Sequence, residues 1–442
     1  MSDLLYDGKR AVVVGYGVTG RAVADFLTRS GASVRVFDDG EIGMESSHSG
    51  VTVSRPGEDF RFVVEQADLV VVSPGVPRSH PVYGTSSSPV SELELAYRHT
   101  AIPMIAVTGT NGKTTVTTLI TEMLSRAGLR ARAVGNIGTS IISMLDVDLD
   151  YFVVEASSFQ LATIESFRPR VAVWTNFTPD HLDWHLGIDH YKASKARIFE
   201  NQGRGDVAIV NGSDPVVSKS ALAHGVRRLA FGLGRFDFGL SEDRSALVGE
   251  GKAFLNVSEM SRAFPHDLEN ALASAAAAFS IGVDLDDIAA VLRGFKGLSH
   301  RVELVGTLDG VSFYDDSKAT TPASVMAAVG GFESVVLIAG GKNKGLDLSP
   351  LASLSSKLKS VIAIGDAAGD IVSVFSEVPG IPVATATSMT EAVAMAFDSA
   401  SAGDSVLLSP GCTSFDWYKS YGERGDDFRA VVESLILRGG GA

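Results

Sequence analysis

Met104-Ile-Ala-Val-Thr-Gly-Thr-Asn-Gly-Lys-Thr-Thr115 is the stretch on which the reading of the whole chain turns. The apolar run from Ile102 to Val107 predicts a buried strand. Thr108-Gly109-Thr110-Asn111-Gly112 then forms a loop, and Lys113 and Thr114 open a helical pattern that continues through Thr115 to about Arg126. Strand, glycine-containing loop, Lys-Thr and helix together make a phosphate cradle. Backbone N–H groups and the positive end of the helix dipole face a polyphosphate, Lys113 reaches its outer phosphates, and Thr114 can ligate Mg2+. The common form of the motif has a further glycine where this chain has Val107. The competing reading is a glycine-rich turn that merely caps a helix. Gly-Lys-Thr directly after an apolar strand favours a nucleoside triphosphate site.

Strands and helices alternate on the C-terminal side of the cradle. Tyr151–Glu155, Val171–Thr175 and Asp206–Asn211 read as strands, and Ile188–Asn201 and Asp267–Ser280 as helices, which predicts a parallel sheet wrapped by helices. Glu155 ends its strand, where a carboxylate suits a Mg2+ already held by phosphates. The next strand runs into Asn176-Phe-Thr-Pro-Asp-His-Leu-Asp-Trp-His185, which mixes Asp180 and Asp183 with His181 and His185. A lone histidine in a loop is usually just hydrogen-bonded; this mixture points to a site. The basic residues of His190-Tyr-Lys-Ala-Ser-Lys195-Ala-Arg197 read, from spacing alone, as a solvated helix face.

Residues 1–92 form a separate β/α series. Strand Arg10–Val14 runs into Gly15-Tyr-Gly17-Val18-Thr19-Gly20, helix Arg21–Ser30 follows, and strand Ser33–Phe37 ends at Asp38. This is the dinucleotide fingerprint, which by itself says only that a phosphate or diphosphate can sit at a helix N-terminus, or that the glycines tighten a turn. Strand Asp68–Val72 ends in Ser73-Pro74-Gly75, at the sheet edge where ligands of open α/β sheets bind. The Ser- and Pro-rich run His80–Pro89 marks a boundary. A third series follows Gly297, with strands Val311–Tyr314, Val335–Ala339, Val361–Ile364, Pro382–Ala384 and Ser405–Ser409. The expected fold class is therefore α/β in three domains: a Rossmann-like N-terminal sheet (1–92), a central P-loop ATPase-type sheet (93–298) and a Rossmann-like C-terminal domain (299–442).

Several segments carry this from a type of site to a family. Thr108-Gly-Thr-Asn-Gly-Lys-Thr-Thr115, Gly135-Asn-Ile-Gly138, Glu155-Ala-Ser-Ser-Phe-Gln160, Asn176-Phe-Thr-Pro-Asp-His181 and Tyr191-Lys-Ala-Ser-Lys195 closely resemble the ATP-dependent Mur ligases. The resemblance covers essentially the whole chain, including Asp315-Asp-Ser-Lys-Ala-Thr320 and Ser409-Pro-Gly-Cys-Thr-Ser-Phe415. It implies an ATP-dependent amide ligase that makes an acyl phosphate, with UDP-N-acetylmuramoyl-L-alanine, D-glutamate and ATP as small-molecule substrates. Lys113, His181 and Lys195 would be catalytic. Thr114 and Glu155 would hold one Mg2+ with the ATP phosphates, and His181 with a CO2-derived carbamate on Lys195 would hold a second. Gly109 to Thr115, Asn270, Arg301, Asp316 and Lys318 would contact ATP. Gly15, Gly17, Val18, Thr19, Ser73, Pro74, Gly75, Asn136 and His181 would face the UDP-substrate. Thr320, Lys344, Ser414, Phe415 and Tyr421 would hold D-glutamate. In two places the chain departs from the family. Where a Thr-Arg pair is common at the uracil-binding strand end this chain reads Asp38-Asp39-Gly40, and the adenine-side helix begins His266-Asp267 rather than His-Asn.

Bulk properties agree. At 442 residues the chain suits about three domains of roughly 150 residues. An excess of 52 acidic over 38 basic residues, net −14, argues against a nucleic-acid partner. Cys412 is the sole cysteine, so no internal disulfide forms and a reducing compartment fits. Met1-Ser-Asp-Leu-Leu-Tyr-Asp7 has no basic, then apolar, secretion pattern, and Ala271–Val283 is too short to span a bilayer. A cytoplasmic, monomeric protein without membrane insertion is expected. The alternatives are a family ligase for another amino acid, a non-catalytic nucleotide-binding protein on this scaffold, and a nicotinamide-dependent dehydrogenase. The last is suggested by the first 40 residues and leaves the cradle unexplained.

Overall fold

The computed structural model describes residues 5–40, 51–55, 57, 59–182 and 184–439. The chain divides into two compact units, Met1–Ser261 with Leu268–Gly294, and Arg262–Asp267 with Phe295–Ala442.

The first unit holds two sheets. One comprises β1 (Arg10–Val14), β2 (Ser33–Phe37), β3 (Val51–Ser54), β4 (Leu69–Val72) and β5 (Val90–Ser91), all parallel in the order β3-β2-β1-β4-β5. Valine-rich strands buried on both faces favour this arrangement, and Ala11 to Val14 are all buried. The helix after β1 spans Val18–Arg29, three residues earlier than its expected start, because the chain enters the helix directly from Gly17.

The second sheet contains β6 (Met104–Thr108), β7 (Ala131–Gly135), β8 (Tyr151–Glu155), β9 (Val171–Trp174), β10 (Val207–Asn211), β11 (Arg227–Phe231), β12 (Phe238–Leu240), β13 (Ala246–Gly249) and β14 (Lys252–Asn256). Its order is β14-β13-β12-β11-β10-β9-β6-β8-β7. It is parallel from β7 to β12, as expected, and then continues into an antiparallel extension through β13 and β14. That extension lies outside the sequence reading. Its hairpin closes through Glu250 and Gly251, both at positive φ, the geometry that matches strand twist in a two-residue turn. One hydrophobic core runs through both sheets, drawing in Val13, Leu27, Leu95, Met104, Phe152 and Trp174.

The second unit contains β15 (Glu303–Leu308), β16 (Val311–Asp315), β17 (Val335–Gly340), β18 (Leu358–Ile364), β19 (Val383–Ala386) and β20 (Ser405–Gly411). The order is β15-β16-β20-β17-β18-β19, parallel except for β15, which joins β16 through the Asp309-Gly310 turn. Helices cover both faces, leaving two apolar layers around Leu337 and Ile338 respectively. No described helix is long and apolar enough to cross a membrane.

Candidate functional site

The parallel register of the second sheet brings the sequence-predicted groups to one edge. Val107 pairs with Glu155, Gly135 with Glu155, and Thr108 with Trp174, so the cradle, the acidic strand end and the Asn176 loop emerge side by side. The helix after the cradle spans Lys113–Arg126 as expected. Gly112 caps it at φ +82, and a Cβ there would lie 2.4 Å from Asn270 Oδ1, so only glycine lets the loop pass so close to that amide.

Neighbouring segments pin the loop. Asn176 Oδ1 accepts from Asn111 N at 2.8 Å, Thr175 Oγ1 donates to Asn111 O at 2.6 Å, and Thr110 N donates to Asn176 O. Lys113 Nζ donates to the carbonyls of Gly109 and Thr110, both at 2.9 Å. Thr115 is buried behind the loop, while Thr114 stays partly open. Lys195 Nζ reaches the same Gly109 carbonyl at 2.7 Å and lies over the Tyr191 ring, whose hydroxyl meets Thr110 Oγ1 at 3.2 Å.

Lys195 is therefore no solvated residue; it is 2% exposed. Burial, reinforced by the charge of Lys113, holds its amine well below the ordinary lysine range, against the pull of Asp180 and Glu155. Glu155 is buried too. Its Oε1 accepts from Asn136 Nδ2 at 3.1 Å, while Oε2 has no partner. A buried carboxylate oxygen without a donor is costly unless something binds it, and an oxygen ligand for a hard cation answers that need. His181 sits at φ +52, paired through Nε2 with Asp180 Oδ2 at 3.4 Å and packed edge-on against Phe159. His185 turns inward, to Ser158 Oγ and His190 Nδ1, and burial depresses it to about 3, so it stays neutral there. Asp183 lies outside the described residues.

On the first sheet, the N-terminus of helix Val18–Arg29 has Gly17 as its cap with no side-chain capping bond, leaving Val18 and Thr19 at an uncapped helix start. Gly20 is required by packing, since a Cβ there would lie 1.8 Å from Gly15 O. Ser73 Oγ donates to Gly15 O at 2.9 Å, which joins the glycine turn to Ser73-Pro74-Gly75. Asp38 Oδ2 accepts from Tyr16 N at 2.5 Å and Oδ1 from Gly40 N, so this carboxylate braces the turn.

In the second unit, the loops after β16, β17 and β20 converge. Lys342 and Thr413 exchange backbone hydrogen bonds at 2.8 and 3.0 Å, and Gly411 N donates to Ala319 O. Buried Arg424 donates to Ser317 Oγ, Ser317 O and Cys412 O. These links gather the segments bearing Thr320, Lys344, Ser414, Phe415 and Tyr421. Lys344 and Phe415 are exposed, and Lys318 Nζ lies 3.7 Å from the Tyr421 ring centroid. Asp316 is buried; burial pushes its carboxyl up to about 7, against Ser409 Oγ at 2.7 Å and the charge of Arg301. Among the described residues, His300, Glu303 and Asp315 form the one cluster with metal-ligand spacing. Their carboxylates are already engaged by His300 itself, Ser317 N and Arg429.

Family models match along the chain: a Mur ligase MurD-like N-terminal domain over residues 9–88, a Mur ligase middle domain over 107–278, and a Mur ligase glutamate ligase domain over 300–412. The UDP-N-acetylmuramoylalanine–D-glutamate ligase of Pelotomaculum thermopropionicum is 42% identical, over 97% of this chain and 98% of the relative. The chain belongs to the Mur ligase family. The ligase of the same name from Geobacter metallireducens is 40% identical over the same shares. Solved Mur ligases share the fold at low identity. UDP-N-acetylmuramate-alanine ligase from Thermotoga maritima is 19% identical with a TM-score of 0.61, covering 97% of this chain and 100% of that one. MurF from Acinetobacter baumannii, also 19% identical, reaches 0.63 over 97% and 90%.

Two contributors to this Mur ligase's cradle escape a reading by spacing. Asn176, before His181 in the quoted loop, accepts from Asn111 N, and Tyr191 precedes Lys195 by one helical turn. The i, i+4 relation of Tyr191 and Lys195 was the available signal, because it puts ring and amine on one face. Burial of that face depends on Gly109 and so was invisible.

Proposed function

We propose that this chain joins D-glutamate to UDP-N-acetylmuramoyl-L-alanine at the expense of ATP, in peptidoglycan precursor synthesis. The observation that carries the reaction class is the convergence of Lys113 and Lys195 on the Gly109 carbonyl, beside the unpartnered oxygen of Glu155. The choice of substrates rests on the relatives of that name.

A carboxylate is a poor electrophile, so its oxygen must first become a leaving group. The alanyl carboxylate attacks the γ-phosphorus, ADP departs, and an acyl phosphate results. The D-glutamate amine then attacks the carbonyl carbon, loses a proton and expels phosphate. Lys113 and the loop N–H groups of residues 109–115 stabilise the charge on the transferring group, the main lever in phosphoryl transfer. Mg2+, where bound, screens phosphate charge; Thr114 and Glu155 would hold one ion, and His181 with carbamylated Lys195 a second. The chemistry of the donors fits: Glu155 offers a free oxygen, and a buried amine kept neutral is the form that captures CO2.

In the same proposal, residues 1–92 receive the UDP-substrate through Gly15, Gly17, Val18, Thr19 and Ser73–Gly75, joined by Asn136 and His181. Residues 93–298 bind ATP, with Asn270 contributing. Residues 299–442 supply Arg301, Asp316 and Lys318 to ATP, and Thr320, Lys344, Ser414, Phe415 and Tyr421 to D-glutamate. The protein acts as a cytoplasmic monomer. Phosphate release is the test, measured with ATP, Mg2+ and UDP-N-acetylmuramoyl-L-alanine while D-glutamate, L-glutamate, L-alanine or diaminopimelate is added singly. Release only with D-glutamate, lost in Lys113→Ala, is expected. Release with a different amino acid refutes the assignment of the acceptor site.

A further inference from the structure

The helix Glu92–Arg98 carries two buried carboxylates that do different things. Both sit in its first turn, where the helix dipole favours negative charge. Glu94 accepts from Glu165 N, Ser166 N, Ser166 Oγ and Phe167 N, all within 3.1 Å, and from Arg98 Nε. It clamps the turn that leads towards β9, away from the cradle. Glu92 is 1% exposed, and its Oε1 accepts from Ser140 Oγ at 2.9 Å and Ile142 N at 2.8 Å.

Those two donors close the loop that begins at Gly135 and carries Asn136. The other end of that loop is held by Asn136 N to Glu155 O at 2.9 Å and Asn136 Nδ2 to Glu155 Oε1. Glu92 itself follows β5 directly, and β5 pairs with β4 through Val72↔Ser91, one residue before Ser73. A single side chain thus ties the strand pair that ends in Ser73-Pro74-Gly75 to the loop that presents Asn136. The first belongs to the N-terminal sheet, the second to the central sheet. Burying a carboxylate is costly unless its acceptor capacity is used, so its placement at this junction calls for a purpose.

We propose that Glu92 is a positioning residue for the UDP-substrate: it sets the spacing between the Ser73–Gly75 turn and the Asn136 loop, so that both meet one ligand. This rests on the reading that UDP-N-acetylmuramoyl-L-alanine is the substrate at these two loops. Glu92 touches neither the substrate nor the reacting atoms. Glu94, on the same helix and equally buried, serves as the structural control.

The test is calorimetric binding of UDP-N-acetylmuramoyl-L-alanine, followed by KM values for all three substrates. Glu92→Ala frees Ser140 and Ile142, and loss of two hydrogen bonds that order the loop is expected to weaken UDP-substrate binding about tenfold. KM for ATP and for D-glutamate should stay within about twofold. Glu92→Gln retains the Oε1 acceptor and should recover most of the affinity. Glu94→Ala should lower the melting temperature without changing UDP-substrate affinity. If Glu92→Ala does not fold, Ser140→Ala removes one of the same bonds and is expected to weaken binding about threefold. Unchanged UDP-substrate affinity in soluble Glu92→Ala or Ser140→Ala overturns the proposal, as does an equal rise in all three KM values. Wild-type protein that binds no UDP-substrate would instead sink the substrate assignment, and with it this inference.

Discussion

Replacing Asp316 by Asn should stabilise the second unit at neutral pH while impairing catalysis. Asp316 lies behind the β16 strand end, its Oδ2 accepting from Ser409 Oγ at 2.7 Å and its Oδ1 from Val302 N at 3.3 Å. Burial raises its carboxyl from 3.8 to about 7. Between those values the folded chain holds a proton that the unfolded chain has released. Unfolding then gains stability relative to folding as pH rises, so the native state weakens from about pH 4 to about pH 7 and is flat on either side. A shift of about 3 units at about 1.4 kcal/mol each sets a ceiling of about 4 kcal/mol. Most of that interval, about 2–3 kcal/mol, lies between pH 5 and pH 8. Asn keeps the shape and an acceptor for Val302 N, and the Ser409 hydroxyl can turn to accept from the new amide, but Asn has no proton to lose. The difference in stability between variant and wild type should therefore grow by about 2–3 kcal/mol from pH 5 to pH 8. Urea unfolding followed on Trp417 reads this, with Trp174 and Trp184 replaced by Phe in both proteins so that the signal comes from the second unit. A difference that is the same at both pH values would refute the reasoning. Phosphate release by the variant should fall with a raised KM for ATP, as expected for a residue kept at a cost to stability.

Gly112→Ala should lose stability by about 1–3 kcal/mol and raise KM for ATP about tenfold, because its Cβ meets Asn270 Oδ1 at 2.4 Å and φ is +82. Gly128→Ala, at φ +83 with nothing within 4 Å, carries the backbone strain alone and should leave that KM unchanged; equal effects on KM in the two variants would refute the steric account. Lys195→Met replaces a buried, desolvated amine by an apolar side chain of similar volume, so the metal-free protein should be more stable, by about 1–3 kcal/mol, while phosphate release disappears. A lower melting temperature would show that the bond to Gly109 O outweighs the desolvation it requires.

Local chemistry made most of the architecture legible. The cradle helix begins and ends where Lys113 and Arg126 predict, because glycine, Lys-Thr and apolar spacing are local signals. The β/α alternation announced parallel sheets for the same reason. The expected helix Ile188–Asn201 is instead an α-helix to Ala196 and a tighter 3-10 turn at Arg197–Phe199, where the Arg197 guanidinium bonds to the carbonyls of Leu161, Ala162 and Ile164. The antiparallel extension β12-β13-β14 was missed because its strands are three to five residues long and carry little periodicity. Site chemistry divides the same way. Gly-Lys-Thr names its ligand by itself, since loop and helix terminus form the donor array without outside help. Lys195 read by spacing is a solvated cation; only the fold, by bringing residue 195 against the carbonyl of residue 109, makes it a buried amine. Charge state depends on desolvation, and desolvation is a property of what packs around a group rather than of its neighbours in sequence.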